Sequence, residues 1–191
     1  KILVRNESGK YIWLADAAFR AYAAKGGSLL AFTGHCDPGS IVPDPMGHGS
    51  IAEAYAFIAQ GVEIEINKET GELKVLRVVS CHDSGRIINP LAAEGQVEGA
   101  VVQGLSYALS EVLVRHNGRI VNPNLINYKI LPLSNIPEIK IVFIEKEEPT
   151  GPYGAKGLGE PAIVCIPAAL ANAIDNALGI RLKKLPLTDN R

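Results

Sequence analysis

The sequence predicts an α+β fold in which short mixed sheets pack against helices. Residues 54–66 and 73–81 carry the alternating apolar and polar side chains of strands, whereas 91–116 and 160–178 are long apolar stretches rich in Ala. Helical and hairpin-type segments are intermixed, with no repeated strand–helix–strand order. This arrangement favours α+β over a parallel α/β sheet.

The first part of the chain predicts three small elements. Residues 2–4 and 29–33 are short apolar runs typical of strands. Residues 11–24 have apolar side chains at helical spacing, and the Gly-Gly pair at 26–27 should end this helix.

Residues 34–49 are rich in Gly and Pro and predict a loop. His35, Cys36 and Asp37 within it are candidate metal ligands, but adjacent side chains seldom converge on one ion. An ordinary loop is therefore the favoured interpretation. The three cysteines of the chain are far apart and odd in number, so they predict neither a disulfide framework nor a binding site for an iron–sulfur cluster.

A β-hairpin and a helix make up the middle of the chain. The predicted strands 54–66 and 73–81 are joined by a turn at 68–71 that contains a glycine. A polar loop follows at 82–90 and ends in Asn-Pro, which is a signal for a helix start. The helix is predicted over 91–116.

Three glycines near one stripe of this helix indicate a close approach by another backbone or by a ligand. Gly95, Gly99 and Gly104 each cost about 1 kcal/mol of helix propensity relative to Ala. Gln96 and Gln103 lie two turns apart and share a face. The side chain of Gln96 could meet a phosphate or a heterocycle near the helix start, whereas a solvated surface glutamine is the favoured interpretation of Gln103.

The last third of the chain is less regular. Residues 117–119 predict a turn, and 120–121 and 139–145 predict strands. The helix at 160–178 is apolar nearly all round, which predicts burial on every side. A final strand is predicted at 180–185.

A glycine-rich segment at 151–161 ends in the carboxylate of Glu160, followed by Pro161. Glycines allow sharp turns and close approach by another group. Glu160 is therefore either a placed chemical group or simply a favourable helix N-terminus, where Pro and acidic residues are both common. The two interpretations are equally supported by the local sequence.

Composition and generic motifs exclude several functions. The net charge of −1 gives no electrostatic basis for binding nucleic acid or an anionic membrane, and no apolar run is expected to span a bilayer. No signal peptide is evident, so we expect a cytoplasmic protein. Lys156 does not fit a Walker phosphate loop, and Gly157 and Gly159 begin only a partial dinucleotide-binding fingerprint. A lone glutamate acting as a base would need an electrophile or metal from a cofactor.

Several motifs, in a consistent order, resemble those of the molybdenum hydroxylases, the family of xanthine dehydrogenase and aldehyde oxidoreductase. Residues 154–161 read Gly-Ala-Lys-Gly-Leu-Gly-Glu-Pro and resemble the active-site motif of that family. Residues 83–90 and 94–104 resemble its D-x-G-x-x-x-N-P and G-Q-x-x-G-x-x-x-Q-G signatures. Residues 128–130 and 152–154 fit as well. The resemblance extends from about residue 49 to the end of the chain.

This resemblance implies a role for specific residues. It assigns the general base of a hydroxylation that uses oxygen from water to Glu160. It implies that Gln96, with Gly95, Gly157 and Gly159, binds a molybdopterin or a molybdopterin cytosine dinucleotide that carries molybdenum. The substrate would be a small molecule such as an aldehyde or an N-heterocycle. Iron–sulfur (2Fe-2S) and FAD groups would lie on other chains.

The chain is shorter than the several hundred residues of a full molybdenum subunit, and it begins at Lys1 rather than Met. We therefore expect one partial molybdopterin-binding domain over 1–191, with the motifs in 49–191. The remaining molybdenum-binding chain or domain would be a partner, and the isolated chain would be inactive. The alternative is a non-catalytic assembly module that closes a cofactor cavity or joins subunits.

Overall fold

The protein divides at residue 36 into two units, Lys1–Cys36 and Asp37–Arg191. The structure is a computed structural model that describes residues 2–3, 9–28, 31, 33–35, 42–49, 52 and 54–187. The combination of helices with short mixed sheets confirms the α+β class predicted from the sequence.

The first unit contains a small hairpin and one helix. Strand β1 (Ile2–Leu3) pairs antiparallel with β2 (Tyr11–Ile12), and helix α1 (Leu14–Ala24) follows. The helix begins three residues later than expected because 11–12 pair as a strand. Gly26 and Gly27 follow the helix with φ of 62° and 80°, as the sequence predicts for its end.

Two expectations fall wholly or partly outside the described residues. Most of the predicted strand at 29–33 does so, and so do Cys36 and Asp37 of the candidate metal cluster. Within the described part of the chain, no group of three or more His, Cys, Asp or Glu side chains could hold a metal ion.

Besides two short 3₁₀ helices at Leu133–Asn135 and Pro152–Gly154, the second unit contains the remaining strands and α-helices of the described residues. In chain order they are β3 (Phe57–Ile66), β4 (Leu73–Asp83), α2 (Pro90–Leu109), β5 (Arg115–His116), β6 (Arg119–Ile120), α3 (Leu125–Tyr128), β7 (Glu138–Ile144), α4 (Pro161–Val164) and α5 (Ile166–Leu178).

The sheet of the second unit has the order β3-β4-β7. Strands β3 and β4 form the predicted antiparallel hairpin, with Val62 opposite Val78, and β7 adds in parallel on the other side of β4. Gly71 has a φ of 75° in the turn, the conformation that favours glycine there. Side chains alternate between the two faces, and one face lies in the core against α2 and α5.

Helix α2 begins where the sequence predicts but ends seven residues early. The Asn89 side chain accepts a hydrogen bond from the backbone N–H of Ala92 at 3.2 Å, and Pro90 occupies the first turn. After Leu109 the chain turns toward the β5–β6 hairpin. The Asn122 side chain stabilises this turn because it accepts from the N–H of Val114 and donates to the carbonyl of Val112.

The predicted helix at 160–178 is two helices that meet at Cys165. Pro167 has no N–H to donate to the preceding turn, which accounts for the break. Burial follows one stripe, with Ile166, Leu170 and Ile174 in the core, while Val164 is 72% exposed. The expectation of burial on every side is therefore wrong. No strand forms at 180–185.

The expectation that no apolar run could span a bilayer needs correction. The segment Pro161–Leu178 is long and apolar enough, by length and composition alone, to cross a membrane. Core helices of globular domains meet the same criteria. Its buried side chains pack with α2 and β3 in this structure.

The glycines of α2 differ in their surroundings. A Cβ on Gly104 would lie 2.8 Å from the Cβ of Ile166 in α5, so the predicted close approach is present at this position. At Gly95 and Gly99 a Cβ would meet no atom within 4 Å. The two helices can approach closely only where Gly104 faces Ile166.

This difference can be tested by a pair of substitutions. Gly104→Ala and Gly99→Ala gain the same helix propensity, so the difference between them isolates packing. We expect Gly104→Ala to be less stable than Gly99→Ala by about 2 kcal/mol, the usual cost of overpacking. Urea unfolding of the two purified variants measures this difference. Equal stability of the two variants would contradict the close approach of α2 and α5.

Candidate active site

Glu160 lies at the N-terminal end of α4, but its side chain does not cap that helix. Its backbone is helical, with φ of −72° and ψ of −32°, and the carboxylate accepts no hydrogen bond from the first turn. The residue is exposed. Of the two interpretations left open by the sequence, a capping role does not account for the side chain, and the carboxylate is accessible to a ligand.

Gln96 lies beside the turn that carries Glu160. It is on the second turn of α2 and is exposed, and its Oε1 is 3.3 Å from the position that a Cβ on Gly159 would occupy. A side chain at 159 would require the Gln96 amide to shift by a few tenths of an ångström. The fold thus brings together two candidate residues that are more than sixty positions apart in the chain.

A cleft of about 230 Å³ adjoins this contact. It lies between the loop after β4, the first turns of α2 and the segment around Lys156. Its polar lining residues are Ser84, Arg86, Asn89, Gln96 and Lys156. Gly95 does not line this cleft, because it borders a different groove next to Pro137. A Cβ on Gly157 would face open space.

Backbone hydrogen bonds join the loop after β4 to the glycine-rich segment. The N–H of Lys156 donates to the Ser84 carbonyl and the N–H of Arg86 donates to the Gly154 carbonyl, both at 2.8 Å. Gly85 and Ala155 form the bridge between them. Gly85 has a φ of 63°, and a Cβ there would collide with the Gly154 carbonyl oxygen, so this position requires glycine.

A buried ion pair reinforces this junction. The Nζ of Lys156 lies 2.8 Å from Oδ2 of Asp83, and the two side chains are only 6% and 11% exposed. The hydrogen bond from Lys156 holds the pKa of the Asp83 carboxyl below its ordinary value. The face of the Phe57 ring lies 5.9 Å from the same Nζ.

A second polar network anchors the start of α4. The Gln60 amide donates to the Ala162 carbonyl at 2.8 Å and to the Ser80 hydroxyl at 2.7 Å. Ser80 in turn lies 2.7 Å from Nε2 of His82, whose pKa is lowered by burial. The Oε1 of Gln60 is buried without a partner among the described residues, which is an energetic cost of holding the amide in this orientation.

The sequence did not predict the Asp83–Lys156 ion pair or the hydrogen bonds of Gln60. Asp83 and Lys156 each lie in a recognised motif, but nothing in the sequence links two residues that are 73 positions apart. The available signal was a lysine inside a glycine-rich turn, where a flexible charged side chain has little local reason to occur. Gln60 gave a similar signal, as a polar residue on the core-facing side of a strand.

Comparison with known proteins identifies the family of the chain. Residues 1–137 match the sequence family described as "Molybdopterin cofactor-binding domain". The chain belongs to the molybdenum hydroxylase family. The recognition made from the motifs is therefore confirmed.

Individual members of the family are clearly similar. The xanthine dehydrogenase molybdenum-binding subunit of Escherichia coli O157:H7 is 38% identical over 71% of this chain and 18% of its own length. The aldehyde oxidoreductase molybdenum-binding subunit PaoC of Escherichia coli K12 is 35% identical over 73% of this chain and 20% of its own length. The aldehyde oxidoreductase structure from Desulfovibrio gigas superposes with a TM-score of 0.69 and 32% identity, over 78% of this chain and 16% of that one.

The chain spans about a fifth of the length of the curated relatives it matches. It is a molybdopterin cofactor-binding domain of the xanthine dehydrogenase and aldehyde oxidoreductase type, and its relatives are oxidoreductase subunits.

The Asp83–Lys156 pair has a consequence for stability in acid. Because the folded state lowers the pKa of Asp83, the pair contributes its full stability above the ordinary carboxyl pKa of 3.8 and loses it as the pH falls below that value. We expect Asp83→Asn to reduce the free energy of unfolding at pH 7 and to weaken its decline between about pH 5 and 2.

Denaturant unfolding at a series of pH values measures this effect. Glu63→Gln is the matched control, since Glu63 forms a 2.8 Å pair with Arg77 on the same sheet but both side chains are about half exposed. We expect the control to change stability by less than about 1 kcal/mol. An Asp83→Asn protein with the same acid dependence as wild type would contradict the assignment.

Proposed function

We propose that this chain forms the C-terminal part of the cofactor site in a molybdenum hydroxylase that oxidises an aldehyde or an N-heterocycle with oxygen from water. The observation that carries the proposal is the exposed Glu160 carboxylate. It directly follows Gly159, whose Cβ position lies 3.3 Å from the Gln96 amide oxygen. In this proposal the chain supplies the general base and one wall of the cofactor site, and it is inactive alone.

The chemistry of the exposed groups fits a pterin cofactor. The Gln96 amide can donate and accept hydrogen bonds, as a pterin or a phosphate group requires. Gly157 and Gly159 leave room for a ligand to approach the backbone. Among the described residues, a Cβ on Gly157 would meet no atom within 4 Å, and a Cβ on Gly159 would meet only the Gln96 amide oxygen. The motif resemblance also assigns Gly95 to the cofactor, but this glycine borders a different groove next to Pro137, and the cleft beside Gln96 gives it no support.

A molybdenum cofactor bound beside Gln96 and Glu160 would supply two-electron oxidation of the substrate carbon. The role of Glu160 is to take up a proton from the water-derived nucleophile as the new C–O bond forms. The net reaction converts a C–H bond and one water into a C–OH group, with release of two protons and two electrons. An accessible carboxylate that no helix N–H engages has its lone pairs available for this proton.

The electrons must leave through other proteins or domains. The three cysteines of this chain do not provide a site for an iron–sulfur cluster, so we infer that 2Fe-2S and FAD groups are carried by partner subunits. The names of the relatives, which describe molybdenum-binding subunits, support this arrangement. The cofactor is molybdopterin, either plain or as its cytosine dinucleotide, and the rest of its site comes from the remaining molybdenum-binding chain or domain.

The base assignment is tested by Glu160→Gln in the complete enzyme. The substitution keeps the size of the side chain but removes the proton acceptor, so we expect the turnover number per bound molybdenum to fall by about 10²- to 10⁴-fold. Glu69→Gln, in the turn of the β3–β4 hairpin, is the matched control and should retain full activity.

Two measurements on these proteins decide the proposal. Hydroxylation by Glu160→Gln at a rate near wild type would overturn the role of Glu160 as the base. If metal analysis and pterin analysis of the wild-type complex found neither molybdenum nor pterin, the result would instead favour a non-catalytic assembly module.

A further inference from the structure

The Glu160 segment is fixed at its two ends and has few restraints between them. Upstream, Lys156 is bonded to the loop after β4. Downstream, the Ala162 carbonyl accepts a hydrogen bond from Gln60. The backbone N–H groups of residues 157–159 donate no hydrogen bond to other described residues.

The upstream anchor resists movement because it combines charge with burial. Separating the Lys156 ammonium from Asp83 would leave two charges in a site from which water is largely excluded, which is strongly unfavourable. The Phe57 ring covers the ammonium further. The backbone bonds of the same residue fix the direction in which the chain leaves the anchor toward Gly157.

Lys156 is poorly placed to act as a ligand of an anion. Its Nζ is already paired with a carboxylate at 2.8 Å, and its side chain is only 6% exposed. An anion that approached it would have to displace Asp83. Its charge therefore serves the contact with Asp83 rather than a contact with substrate or cofactor.

We propose that the Asp83–Lys156 ion pair is a positioning device that sets the place of Glu160 relative to Gln96. Lys156 is a positioning residue, since it acts through the three residues that separate it from Glu160. The inference rests on the proposed function only for the identity of the positioned base. The anchoring of the segment can be measured independently of it.

The test uses the complete cofactor-loaded enzyme and five variants. Lys156→Met and Asp83→Asn each break the pair, and the double variant removes both charges and avoids leaving an unpaired one. Lys156→Arg keeps the charge and is the conservative rescue. Arg77→Gln, which breaks the exposed pair with Glu63, is the control.

Two readouts are taken for each variant. The first is the turnover number per bound molybdenum together with KM. The second is hydrogen exchange, by mass spectrometry, of peptides that cover 153–161, compared with peptides from the β3–β4 hairpin.

If the pair positions the base, Lys156→Met should lower the turnover number by about 100-fold with KM within threefold of wild type, since small misplacements of a reacting group cost that much. Exchange in 153–161 should rise while exchange in the hairpin stays unchanged. The double variant should be no worse than the more severe single variant, because both singles disrupt one interaction. Lys156→Arg should recover part of the rate, and Arg77→Gln should match wild type.

Three results would overturn the proposal. One is unchanged exchange in 153–161 for Lys156→Met, and another is strictly additive losses in the double variant, which would indicate that Lys156 acts on substrate or cofactor by itself. The third is a loss explained entirely by lower molybdenum content, with a normal rate per metal. If Glu160→Gln is active, the base assignment fails, but the exchange measurement still decides whether the pair fixes the segment.

Discussion

The ion pair between Asp83 and Lys156 connects the core of the second unit to its candidate site. Asp83 ends the central strand of the sheet, and that strand is held on both sides by β3 and β7. The backbone hydrogen bonds beside the pair fix the direction of the chain at Lys156. The contacts with the sheet thus reach Lys156, which lies four positions before Glu160 in the glycine-rich segment.

Helix α2 provides the other half of the arrangement. Its start is fixed by the Asn89 cap, and Val97, Val101 and Leu105 bury one stripe of the helix against the sheet and α5. Burial of this stripe sets the rotation of the helix about its axis and directs Gln96 toward the turn at Gly159. Gly104 contributes by allowing Ile166 to approach, which brings α5 and the preceding α4 close to α2. The position of Glu160 therefore depends on the packing of Gly104 against Ile166, which lies outside the glycine-rich segment.

Local patterns predicted the parts of the fold that local interactions determine. The β3–β4 hairpin and the start of α2 follow from alternation, turn glycine and capping residues within short windows. The end of α2 and the absence of a strand at 180–185 depend on tertiary contacts, such as those of Asn122, that no short window contains. The motifs identified Glu160 and Gln96 as candidates. They could not predict the pair of Asp83 and Lys156, because only the fold brings these residues together.

We propose that the face formed by Gln96 and Glu160 is one wall of the molybdenum site. A crystal structure of the complete enzyme, with anomalous data collected at the molybdenum absorption edge, is the decisive measurement. The molybdenum peak should lie beside the Glu160 carboxylate, with Gln96 in contact with the cofactor. A molybdenum peak remote from both residues, with Glu160 facing solvent or another subunit, would contradict it.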